Sequence, residues 1–168
     1  MTTTMRHFTI LLMALVLSSC GFALRGSDNA PISIAIDTVF VDSSQPSSEL
    51  TQTLTTSLNE AQLRIVDSID NANYKLQLKD EEFNSRTSTV NGRARAAQYT
   101  LQLGTQISLS QQGVELLSDE PFSVERRYFE DTANIAGSTQ EIEILQQEMR
   151  RELVEQIMRR LRAAAQGA

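Results

Sequence analysis

Residues 98–109, QYTLQLGTQISL, decide the fold. Tyr99, Leu101, Leu103, Ile107 and Leu109 fall on one side of an extended chain, and Gln98, Thr100, Gln102, Gln106 and Ser108 fall on the other. Successive side chains of a strand point to opposite faces, so this alternation predicts a strand with one buried and one polar face. The neighbouring segments fit a sheet. Upstream, the polar stretch 84–96 contains Asn91-Gly92, a two-residue hairpin signal. Before it, Tyr74, Leu76 and Leu78 alternate with Lys75, Gln77 and Lys79, a strand that extends to Phe83. Downstream, Gln112-Gly113 turns the chain and residues 114–129 return. Pro121 in that return has no amide hydrogen to give a ladder, which predicts an edge position or a bulge. Ile32, Ile34, Ile36 and Phe40 alternate as the first strand, and Leu63, Ile65 and Val66 read as a short strand or the start of one.

Two helices complete the pattern. After the loop 42–48, with its Pro46 and serines, Leu50, Leu54 and Leu58 recur every four residues, one apolar stripe of a helix that has Glu49 in its first turn. Thr51, Thr53, Thr55 and Thr56 are mediocre helix formers, so packing must hold this helix. Near the end, Ser138-Thr139-Gln140-Glu141 fits a capping box, with Ser138 at the N-cap. Ile142, Leu145, Met149, Leu153, Ile157 and Leu161 then step at three and four residues. Glu141, Glu143 and Glu148 lie early and Arg159, Arg160 and Arg162 late, an order that complements the helix dipole. Residues 163–168 are expected to fray. A coiled-coil partner is one use for this stripe; cover for the chain's own sheet is the other, and the sheet needs a cover. The fold class expected is α+β: a four-stranded, mostly antiparallel sheet with two helices packed on one face, in the order β-α-β-β-β-α.

The N-terminus has its own logic. Residues 1–19, MTTTMRHFTILLMALVLSS, join a short basic head, Arg6-His7, to an apolar run and two small residues, the plan of a secretory signal peptide. The run from Phe8 to Leu17 is about half of the ~20 residues a membrane-spanning helix needs. Cys20, the only cysteine, stands where the signal is cut. Leu17-Ser18-Ser19-Cys20 resembles the bacterial lipobox, which implies cleavage before Cys20 with a diacylglycerol on its sulfur and a further acyl chain on its new amine. One chain gives only marginal membrane binding, so several suit a stable anchor. A stray cysteine in an ordinary signal peptide is the plainer alternative. Gly21 follows where an Asp tends to mark retention in the inner membrane, so the expected location is the outer membrane, facing the periplasm. The mature chain then runs over residues 20–168 as one domain, with 20–31 as a tether.

Composition narrows the function. His7 is the only histidine, so the mature chain carries neither histidine nor free thiol. Ser-His-Asp and Cys-His catalysis have no residues to use, and a zinc site of the usual His and Cys ligands has none either. No Gly-rich phosphate loop is present. Paired carboxylates remain as in glycosidases, but Glu115, Asp119, Glu120, Glu125, Glu130 and Asp131 lie in polar surroundings, the chain has no Trp, and these acids read as solvated charges. Neither enzyme nor cofactor is expected, and no metal. A formal net charge of −6 makes nucleic acid a poor partner.

Cys20-Gly21-Phe22-Ala23-Leu24-Arg25-Gly26 resembles the mature start of the LPS-assembly lipoprotein family LptE. The resemblance continues through the order of elements, the hairpin at Asn91-Gly92, and Arg127-Tyr128-Phe129-Glu130 before the last helix. It implies a protein that plugs the outer-membrane β-barrel LptD, helps it assemble, and binds lipopolysaccharide on its way to the cell surface. Basic residues near the hairpin are linked to that binding in the family, which points to Arg93 and Arg95, with Arg86 in the same acid-free stretch. Arginine forks match phosphate oxygens; the same arginines also suit a plain solvated loop. Val90 stands where some members have arginine, and residues 135–138 lack the lysine of others; if binding needs both, this chain either uses Arg126 or Arg127 instead or binds weakly. The alternatives are an adaptor lipoprotein of another envelope complex and a periplasmic hydrolase built on paired carboxylates.

Overall fold

In the computed structural model, residues 36–90, 96–129 and 135–167 are described. The order is β1 (Thr38–Ser43), α1 (Glu49–Glu60), β2 (Arg64–Ile65), a short 3-10 turn (Ile69–Asn71), β3 (Tyr74–Leu78), β4 (Glu82–Val90), β5 (Ala96–Gln111), β6 (Val114–Phe129) and α2 (Ile135–Gln166). The α+β class stands, with six strands instead of four. β5 is the spine. It pairs antiparallel with β4 along Ala96–Gly104 and with β3 along Ile107–Gln111. β6 pairs with nearly the whole of its opposite edge. β1 lies parallel to both β3 and β2.

The two extra strands have separate causes. β2 is the two-residue piece expected near Ile65. The strand expected over 74–83 breaks instead. Lys79 still bonds to β5, its N–H donating to Gln106 O at 3.0 Å and its carbonyl accepting from Thr105 Oγ1 at 3.0 Å. Pairing with β5 resumes at Glu82, and β4 continues through the polar stretch expected as part of the hairpin. Its residues 84–88 are exposed on both faces, so no alternation of apolar residues marks them as a strand.

The buried face of the sheet follows the expected alternation. Leu101, Leu103, Ile107 and Leu109 are buried, each separated by a less buried polar or small residue except at Thr105, which is also buried. Leu50, Leu54 and Leu58 of α1 and Met149, Leu153, Ile157 and Leu161 of α2 meet them in one core. α1 is held as its threonines require. Ser48 caps it, its Oγ accepting from Thr51 N at 3.1 Å. The hydroxyls of Thr53, Thr55 and Thr56 donate to carbonyls one turn back, at 2.7, 2.7 and 2.9 Å.

Two expectations about α2 are corrected. It starts at Ile135, so Ser138 is a buried residue within the helix and not its N-cap. It also runs through Gln166, so the tail expected to fray over 163–168 is helical for most of its length. Alanine is the best helix former, and Ala165 is buried against the core with Ala164 beside it. Pro121 meets both expectations at once. Among the described residues β6 pairs only with β5, and its register slips between Ile107 and Ser110, where Asp119 takes a φ of 40°.

Candidate functional site

Both helices contact each other and α2 lies on β5 and β6, and among the described residues no element covers the opposite face of the sheet. That face is polar and several of its charges are paired across strands. Lys75 on β3 pairs with Asp42 on β1 at 3.0 Å, and Gln77 Nε2 donates to the same carboxylate at 3.1 Å. The hydrogen bond from Lys75, with that from Gln77 second, holds the Asp42 carboxyl below the usual carboxylate range. Lys79 lies 3.7 Å from Asp119, whose Oδ1 accepts from Ser108 Oγ at 3.0 Å. Arg86 Nη2 on β4 reaches Glu125 Oε1 on β6 at 3.2 Å. Gln98, Thr100, Gln102, Gln106 and Ser108 fill the row between them.

A second set of ion pairs ties α2 down. Arg150 reaches the segment between β3 and β4 and the start of α1: its Nε donates to both oxygens of Glu81, at 2.9 and 3.0 Å, its Nη2 lies 2.8 Å from Glu81 Oε1, and its Nη1 pairs with Glu49. These contacts, led by the hydrogen bond to Glu81, raise the Arg150 pKa. On β6, Glu120 binds Arg160 at 2.8 Å and Arg126 pairs with Glu152. The acids expected as solvated charges are therefore partly committed: Asp119, Glu120 and Glu125 each have a cationic partner, and Glu115 is exposed. Among the described residues no three His, Cys, Asp or Glu groups converge as metal ligands, and no helix is long and apolar enough to cross a membrane.

Of the residues expected to act, Arg86 stands on the open face with a side chain 65% exposed. Cys20, Arg93 and Arg95 lie outside the described residues. The two substitute arginines separate cleanly. Arg126 turns inward to Glu152 on α2, whereas Arg127 is exposed on the open face and makes no ion pair among the described residues. Register puts Arg86, Thr100 and Arg127 in one row across β4, β5 and β6. Sequence reasoning named Arg127 only as a substitute, because nothing in a linear reading places it beside Arg86.

This fold and surface can be set beside known proteins. The family model described as Lipopolysaccharide-assembly, LptE, matches residues 36–161, which takes in every strand and most of α2. The chain belongs to the LptE family. Among LptE proteins, that of Pectobacterium atrosepticum, an LPS-assembly lipoprotein, is 28% identical over 164 residues, covering 94% of this chain and 86% of its own. The LPS-assembly lipoprotein LptE of Photorhabdus laumondii is 28% identical over 163 residues, covering 94% and 87%. Solved structures share the fold: rare lipoprotein B from Shewanella oneidensis at a TM-score of 0.69 and 21% identity, covering 76% of this chain and 95% of that one. Lipoprotein B from Nitrosomonas europaea matches at a TM-score of 0.69 and 18% identity, covering 85% and 91%. The LptE resemblance read from the lipobox onward thus holds across the folded part of the chain.

Proposed function

We propose that this chain is an outer-membrane lipoprotein, anchored on the periplasmic side through acyl chains on Cys20, that plugs the LptD β-barrel, helps it assemble, and binds lipopolysaccharide in transit to the cell surface. The observation that carries the proposal is the LptE family match over residues 36–161. The lipobox supports the anchor. The open sheet face supports the plug: wide outer-membrane barrels have a polar lumen, and a face of glutamines, threonine and cross-strand ion pairs offers such a wall hydrogen bonds. Arg86, Arg93 and Arg95 are the contacts proposed for lipopolysaccharide phosphates. The role is structural and non-enzymatic.

The experiment is affinity purification of the full chain, C-terminally tagged, from outer membranes in mild detergent, with mass spectrometry of what comes with it. A stoichiometric large β-barrel of the LptD kind is the expected result. Recovery of the chain alone, or with a different envelope complex, would overturn the plug and favour the adaptor reading.

A further inference from the structure

Charges on the open face are matched one to one at Asp42–Lys75 and at Lys79–Asp119. At the end where β4, β5 and β6 lie side by side, the match fails. The neighbouring Gln102 and Thr100 rows hold two outward arginines, Arg86 and Arg127, and one outward acid, Glu125, with Glu82 a further row away on β4. Glu125 is taken by Arg86, which leaves Arg127 exposed and unpaired among the described residues. The two arginines occupy the same row on either side of Thr100. Two strand spacings separate them, about 9–10 Å between Cα atoms. That is a gap two long guanidinium side chains can close on one tetrahedral anion from opposite sides. Thr100 Oγ1 sits in the gap, 2.6 Å from Ser88 Oγ of β4.

The surroundings of this row are uneven. Along the outward face of β6 the order is Glu125, Arg127, Phe129, each about 7 Å from the next. Phe129 is 68% exposed, the most exposed large apolar side chain among the described residues. An anion seated between the arginines therefore has an acid on one side of it and a bare aromatic ring on the other. A free inorganic anion gains nothing from that ring. A phosphate carried on an acyl chain does.

We propose that Arg86, Thr100 and Arg127 form one phosphate site, that Phe129 is the apolar shelf for the chain attached to that phosphate, and that Glu125 is a built-in competitor that holds Arg86 when the site is empty. The ligand class is a phosphorylated acyl lipid. The proposal rests on the lipopolysaccharide reading above and sharpens it: Arg127 and Phe129 join the contacts, and Glu125 opposes them. Binding moves Arg86 from the row of Glu125 and Gln102 back to the row of Thr100, exchanging one charge-assisted contact for another, so the site is selective without being strong.

The test uses the full lipidated chain purified in a phosphate-free maltoside detergent. Lipopolysaccharide, the same material stripped of its phosphates, and inorganic pyrophosphate are the probes, read by fluorescence anisotropy. Loss of a charged contact predicts about tenfold weaker lipopolysaccharide binding by R127A. E125Q, which frees Arg86, binds several-fold more tightly. F129S weakens lipopolysaccharide several-fold and leaves pyrophosphate unchanged, and the stripped material binds wild type no better than lipopolysaccharide binds R127A. All three substituted residues are exposed, and an unchanged melting temperature confirms that each variant is folded. If R127A and E125Q match wild type while the R93D/R95D double variant is weakened, this site is wrong and the broader reading survives. If wild type binds no lipopolysaccharide, both fall. If pyrophosphate displaces the lipid equally from wild type and F129S, with F129S unimpaired, the ligand is a free phosphate and the lipid shelf is wrong.

Discussion

Arg150→Met should be among the costliest single changes available on this protein's polar surface. Arg150 leaves the middle of α2 with its side chain only 16% exposed and meets Glu81, 11% exposed, through more than one nitrogen, while its other end pairs with Glu49. Methionine keeps much of the aliphatic volume but removes the charge. Glu81 is then left nearly buried with no partner, and stripping one member from a buried pair costs about 3–5 kcal/mol. The remaining exposure on both side chains, and that of Glu49, reduces this to about 2–3 kcal/mol. For a domain of this size, roughly 4 °C per kcal/mol makes that about 8–12 °C in Tm. Urea unfolding followed by circular dichroism, with E81Q and the E81Q/R150M double variant alongside, reads the loss and the coupling. If the charge left on Glu81 is the cause, E81Q/R150M recovers much of the stability that R150M loses. A loss under about 1 kcal/mol, or a double variant no better than R150M, would refute the claim that this pair fastens α2 to the break between β3 and β4.

Two further outcomes follow from the same geometry. Ser48→Ala removes the oxygen that accepts from Thr51 N and should cost about 1 kcal/mol by urea unfolding, with m unchanged. Asp42 is held below the usual carboxylate range by Lys75, so its contribution is fully present above the unfolded value of about 3.9 and is lost as pH falls through the lower folded value. D42N should therefore flatten the stability profile on the acid side of about pH 4, by less than about 1 kcal/mol because the pair is exposed, and leave it parallel to wild type near neutrality.

Much of the fold was legible wherever burial imposed a period. Residues 98–109 alternate because β5 lies between core and open face, and Leu50, Leu54, Leu58 and the stripe from Ile142 to Leu161 repeat because each helix has one buried side. Pro121 pointed to an edge position or a bulge because a missing amide hydrogen is a property of the residue itself. β4 was hidden for the opposite reason: with both faces in solvent, Asn84, Ser85, Arg86, Thr87 and Ser88 carry no pattern, and only the backbone ladder to β5 makes them a strand. The start of α2 was misplaced because a capping box is a local signal, and Ser138 is buried inside a longer helix.

By itself, then, the sequence determined the class of fold, the two helices and the spine strand. These depend on residue identity and on short repeats, which a linear chain displays. Tertiary structure alone decided which charges are neighbours. Arg126 and Arg127 are adjacent in the chain and identical in kind, yet strand alternation turns one to Glu152 on α2 and leaves the other on the open face in a row with Arg86. Pairing energies depend on distance and burial, and neither is defined until β5 brings β4 and β6 to its two edges.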